Sequence, residues 1–125
     1  MLKGYKVVLR LRRKSYYKLI SSFWNKGLDH RYSNSPVGVQ YYVGKWVKRP
    51  KDQGPLALFN TLDTAKIFLT HWKIGSCIYE CQYEGSEDEI LWWNNIEVVD
   101  NLPLGTVLAD KIKLVKKAFP IYGVS

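Results

Sequence analysis

The sequence predicts a single α+β domain over residues 1–125, a mostly antiparallel sheet of five to seven strands with one main helix packed on one face. Three observations carry this prediction. Short runs such as YKVVLRLR (5–12) alternate side chains with the period of two of a strand. One stretch, PLALFNTLDTAKIFLTHW (55–72), changes to helical spacing. Clusters of Gly, Pro, Asn and Ser punctuate these runs, and no repeat, low-complexity tract or linker divides the chain. At 125 residues it is long enough to bury a core without metal or disulfide staples.

In order, the first strand (5–12) sets Val7, Leu9 and Leu11 on one face and Lys6, Val8, Arg10 and Arg12 on the other. Residues 16–24 (YYKLISSFW) form a second strand, reached through Arg13, Lys14 and Ser15. Residues 25–36 read as a long surface loop, and residues 37–44 (VGVQYYVG) return to strand. Residues 45–55 (KWVKRPKDQGP) read as an exposed connection. A short buried strand then leads into the helix. Asn60 or Thr61 serves as its N-cap, Asp63 favours the positive end of its dipole, and Leu62, Ala65, Phe68, Leu69 and Trp72 recur on its apolar side. Gly75 is the expected stop.

Residues 77–83 (CIYECQY) form a strand, residues 84–89 (EGSEDE) an acidic loop, residues 96–99 a further strand and residues 101–106 a turn. Residues 107–119 fit two periods. Leu108, Ile112, Val115 and Phe119 have helical spacing, whereas Ile112 and Leu114 between lysines have strand spacing. The β-branched residues after the turn favour a strand with a short tail.

Charge is divided unevenly. The net charge is +8, with residues 1–51 at +12 and residues 52–125 at −4. A basic half of this kind presents a continuous positive field to an anionic partner. No apolar run approaches the ~20 residues of a membrane span, and no signal-peptide pattern follows Met1. A cytoplasmic location is the expectation. Cys77 and Cys81 share one face of their strand about 13 Å apart at ~3.3 Å per residue, beyond the ~7 Å limit for a disulfide. Both read as core thiols, and no metal-ligand spacing accompanies them.

The anchors YKVV (5–8), YYVG (41–44), PLALF (55–59), TAKIF (64–68), IYEC (78–81) and LPLGTVLAD (102–110) resemble a small protein family seen in bacteria and their phages. The resemblance spans residues 5–110 and rests on apolar and turn residues. It implies a compact intracellular domain, phage-borne in some cases, and carries over no catalytic residue. A fainter similarity is to the small ADP-ribosyltransferase-like folds, which implies a polar first-strand residue, here Arg10, and a late glutamate, Glu80 or Glu97. The only Ser-Ser pair, Ser21-Ser22, comes too early for the intermediate motif of those enzymes.

Catalytic constellations are otherwise sparse. His71 at the end of the helix suits a capping role, and His30 beside Asp29 lacks a nucleophile motif. The acids of residues 86–89 lack the pattern of a calcium loop, and no phosphate-binding glycine motif occurs. No cofactor is expected. The remaining pattern is basic and aromatic: Arg10, Arg12, Arg13, Lys14, Tyr16, Tyr17 and Lys18 around the first turn, with Lys45, Trp46, Lys48, Arg49 and Lys51 from the later connection. Lysine and arginine pair with phosphates, and bases stack on tyrosine or tryptophan. The sequence therefore points to a non-enzymatic protein that binds nucleic acid or another polyanion. A protein-binding accessory role, with Trp92 and Trp93 as anchors toward an acidic partner, is the second expectation, and a nucleotide-using enzyme of the ADP-ribosyltransferase type the third.

Overall fold

The computed structural model describes residues 2–12, 17–21, 39–51, 53–72, 76–93, 97–99 and 102–119. The elements are β1 (Leu2–Arg12), β2 (Tyr17–Ser21), β3 (Gln40–Tyr41), β4 (Trp46–Lys48), β5 (Leu56–Phe59), α1 (Leu62–Trp72), β6 (Ser76–Gly85), β7 (Leu91–Trp93), β8 (Glu97–Val99) and β9 (Thr106–Phe119). Among the described residues seven strands form one sheet, and β7 and β8 form a separate pair. Every pairing is antiparallel, as expected of a sheet-dominated α+β fold.

The large sheet curls until it meets itself. β1 pairs β6 along eight residues, from Leu2↔Tyr83 to Leu9↔Ser76. β6 pairs β9, β9 pairs β5, and β5 returns to β1 through Tyr5↔Phe59. Three register shifts between β6 and β9 mark bulges that bend the long β9 around this circuit. The closing contact demands a small residue: a Cβ on Gly4 would stand 2.7 Å from Leu58 Cδ1 and 3.0 Å from the Phe59 carbonyl. β2 and β3 extend the sheet beyond β1, and β4 lies on the outer side of β9.

Curling buries both faces of the central strands. Val8, Leu19, Tyr41, Leu56, Leu58, Cys77, Cys81, Ile112 and Leu114 belong to the cluster inside the curl. Val7, Phe59 and Ile78, on the opposite faces of the same strands, join Ala65, Phe68 and Leu69 of α1 in a second cluster. Both thiols are free and buried. Of the two candidate caps, Thr61 begins the helix: its Oγ1 accepts from the Thr64 N–H at 3.2 Å, and its carbonyl accepts from Ala65.

Several boundaries differ from the expectation, and one open reading is decided. β1 starts at Leu2 because β6 offers a ladder partner for each added residue. Among the described residues of 37–44, only Gln40–Tyr41 are strand; Tyr42 starts a turn in which the Lys45 N–H donates to its carbonyl at 3.1 Å and Gly44 takes a φ of +84°. Residues 46–48, read as part of an exposed connection, are strand β4 because Trp46, Val47 and Lys48 pair with Lys113, Ile112 and Lys111. Residues 107–119 lie within a single strand, the favoured reading of the two. The expected loop over residues 25–36 lies outside the described residues.

Candidate functional site

The β4–β9 edge gathers charge on one face. Val47 packs toward the interior cluster, opposite buried Ile112, so their neighbours on both strands face outward. This places Lys48 directly across from Lys111, and Trp46 across from Lys113. The half-buried Trp46 ring holds both cations of β9, the diagonal Lys111 with Nζ 4.6 Å and the facing Lys113 with Nζ 5.4 Å from its centroid. Beyond the Val115 bulge, Lys116 pairs with outward Glu80 and continues the row.

Compensation on this face is partial. Lys111 reaches Glu84 at 3.1 Å, and Glu80 is taken by Lys3 at 3.0 Å, which raises the Lys3 pKa. Among the described residues no carboxylate lies within ion-pair reach of Lys45, Lys48, Lys51, Lys113 or Lys116. Like charges directly opposite one another on a ladder repel. An anion lying across Lys48, Lys111 and Lys113 removes that repulsion.

The sequence-derived site residues divide into several groups. Lys45, Trp46, Lys48 and Lys51 lie on or beside this edge, with the three lysines exposed. Arg10 is half-buried on β1, on the face of Val8 and close enough to Cys77 and Tyr79 for its charge to bear on both. Arg12, Tyr17 and Lys18 lie on β1 and β2 with side chains outside the described set, and Arg13, Lys14 and Tyr16 lie outside the described residues.

Arg49 has a different role from the phosphate contact expected of it. Its Nε and one terminal nitrogen donate to the Gln53 carbonyl at 3.1 and 2.9 Å, and that same nitrogen reaches Asp88 Oδ2 at 2.7 Å. The other reaches Asp110 Oδ1 at 3.0 Å and Ser86 Oγ at 3.4 Å. All five guanidinium N–H groups are thereby engaged. Despite partial burial, these carboxylates raise the Arg49 pKa. Arg49 ties β4, β9 and the acidic loop together, so that loop is anchored at Asp88 rather than simply solvated.

Lys6 also departs from expectation. It lies on the predicted cationic face of β1, yet it is only 2% exposed because that face looks into the curl. Its ammonium donates to the Ala57 carbonyl and stands 5.5 Å from the Tyr41 ring centroid. Burial lowers its pKa to about 7. Burial acts in the opposite sense on Cys81, whose thiol is pushed up to about 12, and raises Tyr41. The Tyr41 hydroxyl and Ser76 Oγ are buried without a hydrogen-bond partner in this structure.

Sequence reasoning missed Lys111, Lys113 and Lys116. They lie in the half of the chain with net negative charge, and only pairing with β4 joins them to Trp46. The usable signal was the alternation Lys-Ile-Lys-Leu over residues 111–114, which gives a strand one cationic face.

Other chemistries find less support. Arg10 and Glu80 face opposite sides of the sheet, by alternation from buried Val8 and from Ile78, and Glu97 lies in the separate β7–β8 pair. Arg10 and Glu80 therefore do not face one another as the ADP-ribosyltransferase similarity implies. Trp92 is half-buried against the backbone at Gly54, where a Cβ would stand 2.1 Å from the Trp92 carbonyl oxygen. Among the described residues, no cluster of His, Cys, Asp or Glu could hold a metal ion, and no helix is long and apolar enough to cross a membrane. Comparisons with protein-family models, curated proteins and solved structures found no match.

Proposed function

We propose that this protein binds a polyanion through the basic-aromatic β4–β9 edge and does not act as an enzyme. The observation that carries the reading is the outward ladder of Lys48, Lys111 and Lys113 around Trp46, where cations face each other with one carboxylate, Glu84, among them. In this reading α1 covers one face of β1, β5 and β6, which leaves the β4–β9 edge open to a ligand. Arg10, Arg12, Arg13 and Lys14 add to the chain's net positive charge. Free Cys77 and Cys81 suit a reducing cytoplasm, bacterial or that of a phage host.

The test is a titration of inorganic polyphosphate and short labelled oligonucleotides, followed by competition and fluorescence anisotropy at several salt concentrations. Binding should weaken linearly in log K against log salt as counterions are released. The triple variant Lys48→Gln, Lys113→Gln, Lys116→Gln should bind more weakly and with a flatter slope, while its circular dichroism stays unchanged. Absence of binding at low salt, or an unaltered affinity in a folded triple variant, would overturn the assignment. Arg12→Ala, Arg13→Ala, Lys14→Ala measured alongside separates the contribution of the first turn.

A further inference from the structure

We infer that the polyanion taken by this edge is a single-stranded nucleic acid laid along β9, with one base stacked on Trp46. This rests on the polyanion reading and names its ligand. In the free protein the Trp46 ring holds the ammonium groups of Lys111 and Lys113 at 4.6 and 5.4 Å from its centroid. A strand exchanges both contacts together: a base takes the indole face, and the phosphates flanking that base take the displaced ammonium groups. A stacked base is worth about as much as the two exposed cation–π contacts it displaces, and the phosphate pairs made by the released ammonium groups favour the exchange.

The spacing agrees. Alternate residues on one strand lie ~7 Å apart, which sets Lys111 and Lys113 against successive phosphates of an extended chain. Lys48 lies across from Lys111, and Lys116 continues the row past the bulge. On the β6 side the row is bordered by Glu84 and Glu80, which confines an anionic ligand to a narrow track. A duplex keeps its bases stacked on one another, and a bare polyphosphate has none. An indole in the middle of a lysine row therefore selects the single strand.

The deciding experiment compares four ligands by anisotropy at equal length and salt: an oligothymidylate of about 12 nucleotides, the same strand with abasic sites, a duplex, and inorganic polyphosphate as competitor. The expected result is binding of the intact strand about tenfold or more tighter than the abasic one. Trp46→Leu, folded by circular dichroism, should erase that difference, and Lys113→Gln should reduce the salt slope by about 0.7. Equal binding of the abasic strand or of polyphosphate would overturn the single-strand inference and leave the polyanion reading standing, as would tighter binding of the duplex. No binding by any of the four at low salt would overturn both.

Discussion

Replacing Lys6 with methionine keeps most of the length of the side chain and removes its charge. Burial lowers the amine from 10.5 to about 7, so charging it costs about 5 kcal/mol more in the folded protein than in the unfolded chain. Below pH 7 both states carry the proton, and the full cost bears on the folded state. As pH rises through 7 the folded amine loses its proton while the unfolded amine keeps it to about 10.5, so stability increases with pH in that window. Between pH 7 and 8.5 this amounts to about 2 kcal/mol. Above that range Cys81 opposes the trend, because the unfolded thiol ionises near 9 while the folded one waits until about 12. Tyr41, Cys77 and Tyr79, all raised by burial, act in the same opposing sense at higher pH.

The assay is urea unfolding followed by tryptophan fluorescence at half-unit steps from pH 7 to 8.5. The native chain should gain about 2 kcal/mol over the range relative to Lys6→Met. At pH 7 the variant should be the more stable by about 2–3 kcal/mol, once the lost bond to the Ala57 carbonyl, worth roughly 1–3 kcal/mol, is set against the cost of the buried charge. Parallel pH profiles for the two proteins would refute the burial of the amine, and so the inward face of β1.

Two further substitutions test the frame. Arg49→Met leaves Asp88, Asp110 and the Gln53 carbonyl without their shared donor, and should cost about 2 kcal/mol in urea unfolding; an unchanged midpoint would mean that these contacts are not maintained in solution. Gly4→Ala places a methyl group against Leu58 and the Phe59 carbonyl, and should lower stability by about 2–3 kcal/mol. A neutral effect there would argue that β1 and β5 do not close the circuit.

Local signals made much of the frame readable. The helix over residues 62–72 announced itself through its cap and apolar side, and β6 through alternation, whereas β9 fits two periods and the β-branched residues after its turn favour the strand. The parts that were not readable depend on distant partners. A three-residue strand such as β4 is too short to declare itself and exists because β9, more than sixty positions away, offers it a ladder. Arg49 looks like any surface arginine until Asp88 and Asp110, 39 and 61 positions on, surround it. Lys6 followed the usual rule that a charged residue marks the solvent face. That rule failed because the sheet curls around this part of β1, leaving neither face wet from Lys6 to Val8. The charge tally by halves failed similarly, since it separated Trp46 from the lysines that surround it.

The closed strand circuit also governs how the chain must fold. β1 finds β6 some seventy to eighty positions away, and the last strand needed, β9, is the one that joins β6, β5 and β4. A nascent chain lacking residues 106–119 exposes the apolar inner faces of β5 and β6 with no β9 to cover them. Such non-local order puts the loop-closure cost early and the reward late, which sets refolding toward milliseconds to seconds rather than microseconds. During synthesis on the ribosome, the unfinished sheet is therefore the form of this protein most exposed to aggregation and most in need of a chaperone.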